Sequence, residues 1–192
     1  MAIQHTNYKN VTFTLYQKPT KKGNIKYYFS SKPSAGGTAV SAIPDGYEVY
    51  ENPNGRVFLS KIKPRQITFE EQRIVESGMR QYGKAKRYKV HVRDRMISIM
   101  TPVENVDAIL GYYEEEGVAL SEERRKYLEN MWRWETTMRF ILQDEHKRIF
   151  TVQRYCYLGR IDDWIDIGFG ELVDLVRQYV PHIDQESYFD LF

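Results

Sequence analysis

The chain has 192 residues and a net charge of +2, with 42% apolar and 28% charged residues. These values are typical of a globular protein and argue against a disordered chain. No run approaches the ~20 apolar residues of a membrane helix, and the N-terminal segment lacks the apolar core of a secretory signal. We therefore expect a soluble, cytoplasmic protein without a membrane partner. The single Cys156 excludes an internal disulfide and a cysteine zinc cluster.

The small net charge hides a strong asymmetry along the chain. Residues 1–100 contain 18 Lys+Arg and 7 Asp+Glu, whereas residues 101–192 contain 10 and 19. Such a division indicates an anionic partner. The alternative is that the two halves neutralise each other, within one fold or between subunits, since charge bears on association rather than on fold.

The first sixty residues predict two β-hairpins. Apolar residues alternate in VTFTLYQ (11–17) and IKYYFSS (25–31), and again in GYEVYE (46–51) and RVFLSKI (56–62). Asn54-Gly55, between the second pair, is a strong hairpin signal. The intervening segment 31–44 is as long as structureless loops in compact domains become, and we favour a flexible connector there over a mobile binding loop.

A helix is predicted to begin at Thr68, because Thr68 and Glu71 have the spacing of a capping box. The following segment, KAKRYKVHVRDRMISIM (84–100), predicts a hairpin that turns near Arg93-Asp94. Its Tyr88, Val90, Val92, Ile97 and Ile99 share one face, and its cations line the other. We expect a loop longer than two residues, since the turn lacks glycine.

The second half predicts more helices and one further hairpin. TPVE (101–104) has the pattern of a capped helix start with proline at the first position, and Ser121 is predicted to cap another helix. The segments 136–143 and 148–158 form a hairpin that is apolar on both faces, which favours a central place in a sheet. A last helix is expected at 170–180.

The order of elements predicts an α+β fold: a hairpin-rich, largely antiparallel sheet with about four or five helices packed on it. We interpret residues 1–192 as a single domain. The alternative division is a basic, strand-rich half (1–101) and an acidic, helix-rich half with one hairpin (102–192).

The first candidate site is a cationic surface for nucleic acid. Cations on a strand face can release counterions from a phosphate backbone, and nearby tyrosines can stack on unpaired bases. The alternative is a solvated or self-neutralised face. The candidate residues are Lys61, Lys63, Arg65, Arg80, Lys84, Lys86, Arg87, Lys89, His91, Arg93 and Arg95.

The second candidate is IDDWID (161–166), in which Asp162 and Asp166 would share a face if the segment were helical and could then hold a magnesium ion. Asp163 is the third acid of this metal candidate. The alternative is that the acids precede a helix and stabilise its positive dipole end. The four histidines have no metal spacing, so we expect no resident metal, no cofactor and no catalytic group, and the protein is more simply interpreted as a non-enzyme.

The third candidate is the C-terminal QESYFDLF, which over eight residues partly resembles the terminal peptides by which proteins dock on DNA sliding clamps. The resemblance implies partner-binding roles for Gln185, Tyr188, Leu191 and Phe192. We favour the alternative, a last turn capped by Asp184 that packs its aromatic residues onto the core.

These observations favour a binding protein that contacts nucleic acid through its basic surface. The alternative is a protein–protein interaction or self-assembly module in which basic and acidic halves meet, with a protein partner or a homo-oligomer. A metal-dependent, phosphate-handling hydrolase using the three aspartates is a further alternative.

Overall fold

The computed structural model describes residues 1–33, 36–117 and 119–192. The chain divides into two compact units, Met1–Lys63 and Pro64–Phe192. The fold is α+β, and the strands of both units pair antiparallel. The sequence therefore predicted the class of the fold correctly.

The first unit consists of β-strands and the segments that join them. A sheet of order β1-β2-β3 has β4 paired to β2, and β5 and β6 form a separate hairpin. Leu15 of β2 is fully buried, and its strand partner is Phe29. The strands are β1 (Gln4–Thr6), β2 (Thr12–Pro19), β3 (Ile25–Ser30), β4 (Thr38–Ala39), β5 (Tyr47–Glu51) and β6 (Val57–Lys61).

Both hairpins predicted in this unit are confirmed by the pairing of β2 with β3 and of β5 with β6. The turn at Gly55 has the positive φ of 75° that glycine tolerates. Its carbonyl accepts a hydrogen bond of 2.6 Å from Asn7 Nδ2, and a Cβ at position 55 would lie only 2.9 Å from the same nitrogen. Glycine at position 55 is therefore required both for the turn and for the close approach of Asn7 Nδ2.

Part of the segment 31–44 is a strand that the sequence did not indicate. Thr38 and Ala39 form a strand whose partners in β2 are Gln17 and Tyr16. The prediction of a structureless connector was wrong at these two positions, because a two-residue strand is too short to show a period. Residues 34 and 35 of that connector lie outside the described residues.

The second unit contains one antiparallel sheet of order β11-β10-β9-β8-β7. The predicted central position of the 136–158 hairpin is confirmed, since β9 and β10 have neighbours on both sides. The elements are α1 (Phe69–Gln81), β7 (Lys89–Arg93), β8 (Met96–Pro102), α2 (Val106–Glu115), α3 (Glu122–Met131), β9 (Trp134–Asp144), β10 (Ile149–Leu158), β11 (Ile161–Glu171) and α4 (Leu172–Tyr179).

The larger hydrophobic cluster of the second unit includes side chains of α1, α4 and the sheet, among them Met79, Val176 and Phe140. A Cβ at Gly78 would lie 2.0 Å from Cγ1 of Val176, so glycine allows α1 and α4 to approach closely. A second, smaller cluster contains Met100, Leu110, Trp132 and Trp134.

The start of α1 is confirmed in detail. Thr68 accepts a hydrogen bond from the Glu71 amide, and the Glu71 side chain accepts one from the Thr68 amide. Arg148 donates from Nε to Glu71 Oε1 at 2.8 Å and from Nη2 to Glu71 Oε2 at 2.5 Å. Burial of the Glu71 carboxyl would raise its pKa, but the hydrogen bonds from Arg148 and Thr68 outweigh burial and lower it.

One predicted helix start was wrong, and one segment that was considered as a helix is a strand. Thr101 and Pro102 do not begin a helix; they end β8, where Pro102 is opposite Trp134, a strand-end position that proline tolerates. The helix α2 begins later, and Asn105 Oδ1 accepts the Ala108 amide at its start. The segment 161–166, for which a helix was considered, is strand, because its residues pair with β10 in continuous register.

None of the helices in the described part of the chain has the length and apolar character that a membrane crossing requires.

Candidate nucleic-acid interface

The predicted cationic residues are divided between the two units. Lys61 and Lys63 belong to the first unit. The remaining nine belong to the second unit, where they occupy α1, the β7–β8 hairpin and the segments next to them. The sequence therefore grouped residues from two separate cores into one candidate surface.

The faces of the β7–β8 hairpin follow the predicted alternation. Val90 and Val92 pack against the main core of the unit, which places Lys89, His91 and Arg93 on the other face. The predicted long loop was wrong, since Arg93 pairs with Met96 and leaves a two-residue turn. Asp94 takes the φ of 52° that this turn needs, and aspartate is one of the few residues other than glycine that does so readily.

Several of these cations contact aromatic rings or carboxylates. The guanidinium of Arg87 lies 4.7 Å from the ring centroid of Trp132 and 3.8 Å from a Glu129 oxygen. The ammonium of Lys89 lies 4.5 Å from the ring centroid of Trp134. These contacts hold the cations against the smaller hydrophobic cluster.

Other cations of the set bond to neighbouring polar groups. Arg65 donates to the Ile67 carbonyl at 2.7 Å and to Gln72 Oε1 at 2.6 Å. Arg95 donates to the carbonyls of Leu142 and Gln143. Arg80, Lys84 and Lys86 are exposed side chains, and Arg80 donates to Ser77 Oγ at 3.0 Å.

His91 adds little positive charge to its face at neutral pH. Burial lowers the pKa of His91 below its usual value, and the charge of Arg93 lowers it further. The imidazole is therefore neutral at pH 7, and Lys89 and Arg93 supply the charge of this strand.

The acidic candidates lie on β11, the end strand opposite β7 in the same sheet. Asp162 and Asp166 are four residues apart on a strand, which separates their Cα atoms by about 13 Å and prevents them from sharing a small ion. Asp162 accepts a hydrogen bond from the Tyr155 hydroxyl, and Asp166 accepts one of 2.5 Å from Gln153. Asp163 accepts the Trp164 amide at 2.7 Å. Within the described residues, His, Cys, Asp and Glu side chains form no group of three or more that could hold a metal ion.

A polar row runs across the face of the sheet that also bears His91. Register places His91, Ser98, Arg139, Gln153 and Asp166 side by side on five successive strands. Arg139 Nε donates to Gln153 Oε1 at 2.5 Å, and its guanidinium lies 4.0 Å from the Trp164 ring centroid. Burial lowers the pKa of Arg139, although Asp163 and Asp166 favour its charged form.

A second cationic surface, absent from the predicted set, lies on the β2–β3 hairpin of the first unit. Lys18, Lys21, Lys22 and Lys26 occupy the two strand ends and the turn between them, and all four side chains are exposed. We call these four residues the lysine hairpin. Among the described residues, none of the four forms an ion pair with a carboxylate.

The lysine hairpin contains a like-charged pair. Lys18 is directly opposite Lys26, and the next pair inward on the same face is Tyr16 opposite Tyr28. The two rings stack with centroids 5.8 Å apart and planes inclined by 26°. The ammonium of Lys18 lies 5.3 Å from the Tyr28 ring centroid.

The sequence contained the signal for this surface. Residues 18–32 include five lysines and no acid, but the predicted strand 11–17 ended before Lys18, whereas the strand in the structure extends to Pro19. The pairing of Lys18 opposite Lys26 depends on register, which a turn of uncertain length does not fix.

The C-terminal candidates are held in the second unit by Arg154, which is 3% exposed. Arg154 donates to the carbonyls of Leu191 at 2.7 Å and Phe189 at 3.0 Å. Tyr188 is buried and donates to the Thr137 carbonyl at 2.5 Å, and burial raises its pKa to about 12.

The other predicted anchors are more accessible. Phe192 and Gln185 are exposed, whereas Leu191 packs partly against the core. Gln185 and Tyr188 line a cavity of about 340 Å³ together with Thr101, Thr137 and Phe189. The last helical turn, Glu186–Tyr188, begins after Gln185 rather than at the predicted cap Asp184.

No protein family, curated protein or solved structure matches the chain.

Proposed function

We propose that the protein binds nucleic acid and that the lysine hairpin supplies its main phosphate contacts. The observation that carries this proposal is that four neighbouring, exposed ammonium groups have no carboxylate partner among the described residues. Ammonium groups in this arrangement replace condensed counterions along a phosphate backbone, and the released counterions favour binding.

The composition of the first unit supports the proposal. Residues 1–63 contain nine Lys+Arg and three Asp+Glu. An anionic polymer is attracted to such a surface before any specific contact forms, which raises the rate of association at low salt.

The cations of residues 84–95 are a second proposed contact surface. Lys84 and Lys86 are exposed, and Lys89 and Arg93 lie on the same strand face. This surface contributes less in our proposal, because Arg87 lies 3.8 Å from a carboxylate oxygen of Glu129.

The experiment is a fluorescence anisotropy titration with single-stranded and duplex oligonucleotides at about 50 mM and about 200 mM salt. The test variant replaces Lys18, Lys21, Lys22 and Lys26 with glutamine. The matched control replaces four exposed cations of the second unit, Arg124, Lys126, Lys147 and Arg160, with glutamine. Both variants lose the same net charge, so a difference between their affinities shows that the position of the charge matters and not only its amount.

We expect the test variant to weaken binding at the lower salt concentration by at least tenfold and to reduce the salt slope by about 0.7 for each phosphate contact that is lost on a single strand. The control should bind nearly as the wild type does. Absence of binding by the wild-type protein at low salt, or equal loss in both variants, would contradict the proposal.

A second candidate function is self-association. It is favoured by the opposite charges of the two end strands of the second unit's sheet, where β7 contains Lys89 and Arg93 and β11 contains Asp162, Asp163 and Asp166. Contact between β7 of one copy and β11 of another would join opposite charges head to tail.

Light scattering in the absence of nucleic acid tests this second function. A mass above that of the monomer that decreases as salt is added would support it, because salt screens charge pairs at a surface. A monomeric mass at all salt concentrations would exclude it.

A further inference from the structure

The opposed lysines of the β2–β3 hairpin are unfavourable in the free protein. Side chains directly opposite on paired strands have Cβ atoms about 5 Å apart, and like charges there destabilise the pair. Lys18 and Lys26 occupy such a position. Beyond Gln17, within the described residues, β2 pairs with β3 alone. The sheet next to Lys18 and Lys26 therefore offers few interactions that could offset their repulsion.

We infer that Lys18 and Lys26 form a clamp for one phosphate group and that the ligand is single-stranded nucleic acid, an inference that rests on the proposed function and assigns its ligand class. Two flexible lysine side chains that start about 5 Å apart can both donate to one phosphate group in charge-assisted hydrogen bonds. The bound anion converts their mutual repulsion into two attractions.

The adjoining tyrosines indicate an unpaired base. Tyr16 and Tyr28 lie on the same face as the clamp, one residue pair inward, which is about 7 Å along the strands. A single nucleotide is long enough to reach both positions. Base–aromatic stacking requires an accessible base face, which a single strand offers and a duplex conceals.

The Tyr28 ring is held in place for this role. The Lys18 ammonium lies over it, Tyr16 stacks against it, and a Cβ at Gly37 would be 2.2 Å from its hydroxyl oxygen. The tyrosine pair is therefore organised before a ligand binds, and Tyr16, which is half-buried, is the ring against which we place the base.

The experiment compares two double variants within the same hairpin. Lys18→Gln/Lys26→Gln removes the clamp, whereas Lys21→Gln/Lys22→Gln removes the same charge from the turn. The probe is a labelled oligodeoxythymidine of about 20 nucleotides, a length that exceeds the site of a typical single-strand-binding module. A duplex of equal length and an abasic strand of equal length are the comparison ligands.

We expect Lys18→Gln/Lys26→Gln to lose at least tenfold in affinity for the single strand and Lys21→Gln/Lys22→Gln to lose less than about threefold, because the turn lysines lie outside the opposed pair and do not share a phosphate with it. Tyr16→Leu should weaken binding of oligodeoxythymidine by about tenfold and leave binding of the abasic strand unchanged. Lys18→Arg/Lys26→Arg should retain binding, because it keeps a positive charge at both positions of the clamp.

The outcomes separate this inference from the proposed function. If the wild-type protein binds no oligonucleotide at low salt, the proposed function fails and the clamp fails with it. If the wild type binds, the inference is overturned by tighter binding of the duplex than of the single strand. It is equally overturned by equal losses in the two double variants, or by an equal effect of Tyr16→Leu on the abasic strand; in each of these cases the proposed function remains.

Discussion

The arginines of the second unit and the lysines of the β2–β3 hairpin show two different uses of positive charge. Arg148 and Arg154 donate hydrogen bonds to defined oxygens at 2.5–3.3 Å. Lys18 and Lys26 face each other instead. A planar guanidinium suits fixed, directional contacts, whereas an ammonium on a flexible stem suits an exposed surface.

The number of cations in a segment therefore does not identify a binding surface. Arginines that join distant segments stabilise the fold and are not available to a ligand. Opposed lysines make the free protein less stable. Such a pair is expected where a bound ligand compensates for the lost stability. Substitutions of the two classes should therefore change stability in opposite directions.

The largest effect is expected for Arg148→Met. The side chain of its partner Glu71 is only 9% exposed, and removing Arg148 leaves this buried carboxylate without its charged partner. We expect the free energy of unfolding of the second unit to decrease by about 3 kcal/mol. Urea unfolding followed by tryptophan fluorescence measures this change, since Trp132, Trp134 and Trp164 all belong to the second unit.

The control for this measurement is Arg160→Met, which removes an exposed arginine from the turn between β10 and β11. Surface substitutions of this kind change stability by less than about 0.5 kcal/mol. Equal destabilisation by the two variants would mean that Arg148 does not have the structural role assigned to it.

The next effect in size is expected for Arg154→Met. Arg154 holds the backbone of the C-terminal segment through two carbonyls, and its guanidinium lies 5.6 Å from the Tyr188 ring centroid. We expect a loss of about 2 kcal/mol, as for hydrogen bonds to a charged donor. Hydrogen exchange should show faster exchange at residues 186–192 than in the wild type, while unchanged exchange there would argue against an anchoring role.

Much of the fold was predictable because its signals are local. The capping box of Thr68 and Glu71, the alternation of Val90 and Val92, and the turn at Gly55 each depend on residues close in sequence. The start of α2 was missed because the pattern of Thr101 and Pro102 also suits a strand end, and only pairing with β9 decides between them.

The candidate site was less predictable because it depends on register and on long-range contacts. The contact between Arg87 and Trp132 joins residues 45 positions apart, and nothing in the local sequence indicates it. Lysine density between residues 18 and 32 was visible in the sequence. The proposed role of these lysines depends on Lys18 lying opposite Lys26, and only the strand pairing specifies that placement.

A smaller effect is expected for His91, a basic residue of the second unit that adds little positive charge in the folded protein. Burial lowers its pKa in the folded state, so the unfolded chain takes up a proton first as the pH falls below about 6.5. The stability of the second unit should therefore decrease as the pH falls from about 7.5 to about 5.5, and His91→Gln should reduce that decrease. An identical pH dependence in the variant and the wild type would show that His91 titrates normally.

The smallest expected effect has the opposite sign. Lys26→Thr removes one of two directly opposed like charges and places a β-branched residue in a strand, so we expect the first unit to become more stable by about 0.5 kcal/mol. Tryptophan does not report on this unit, so hydrogen exchange at the amides of β2 and β3, measured by NMR, is the suitable method. A matched Lys22→Thr variant in the turn should not stabilise the hairpin, because Lys22 has no residue opposite it in the strand register. If Lys26→Thr instead destabilises β2 and β3, the opposed lysines support the free fold, and the contrast with the arginines of the second unit is wrong.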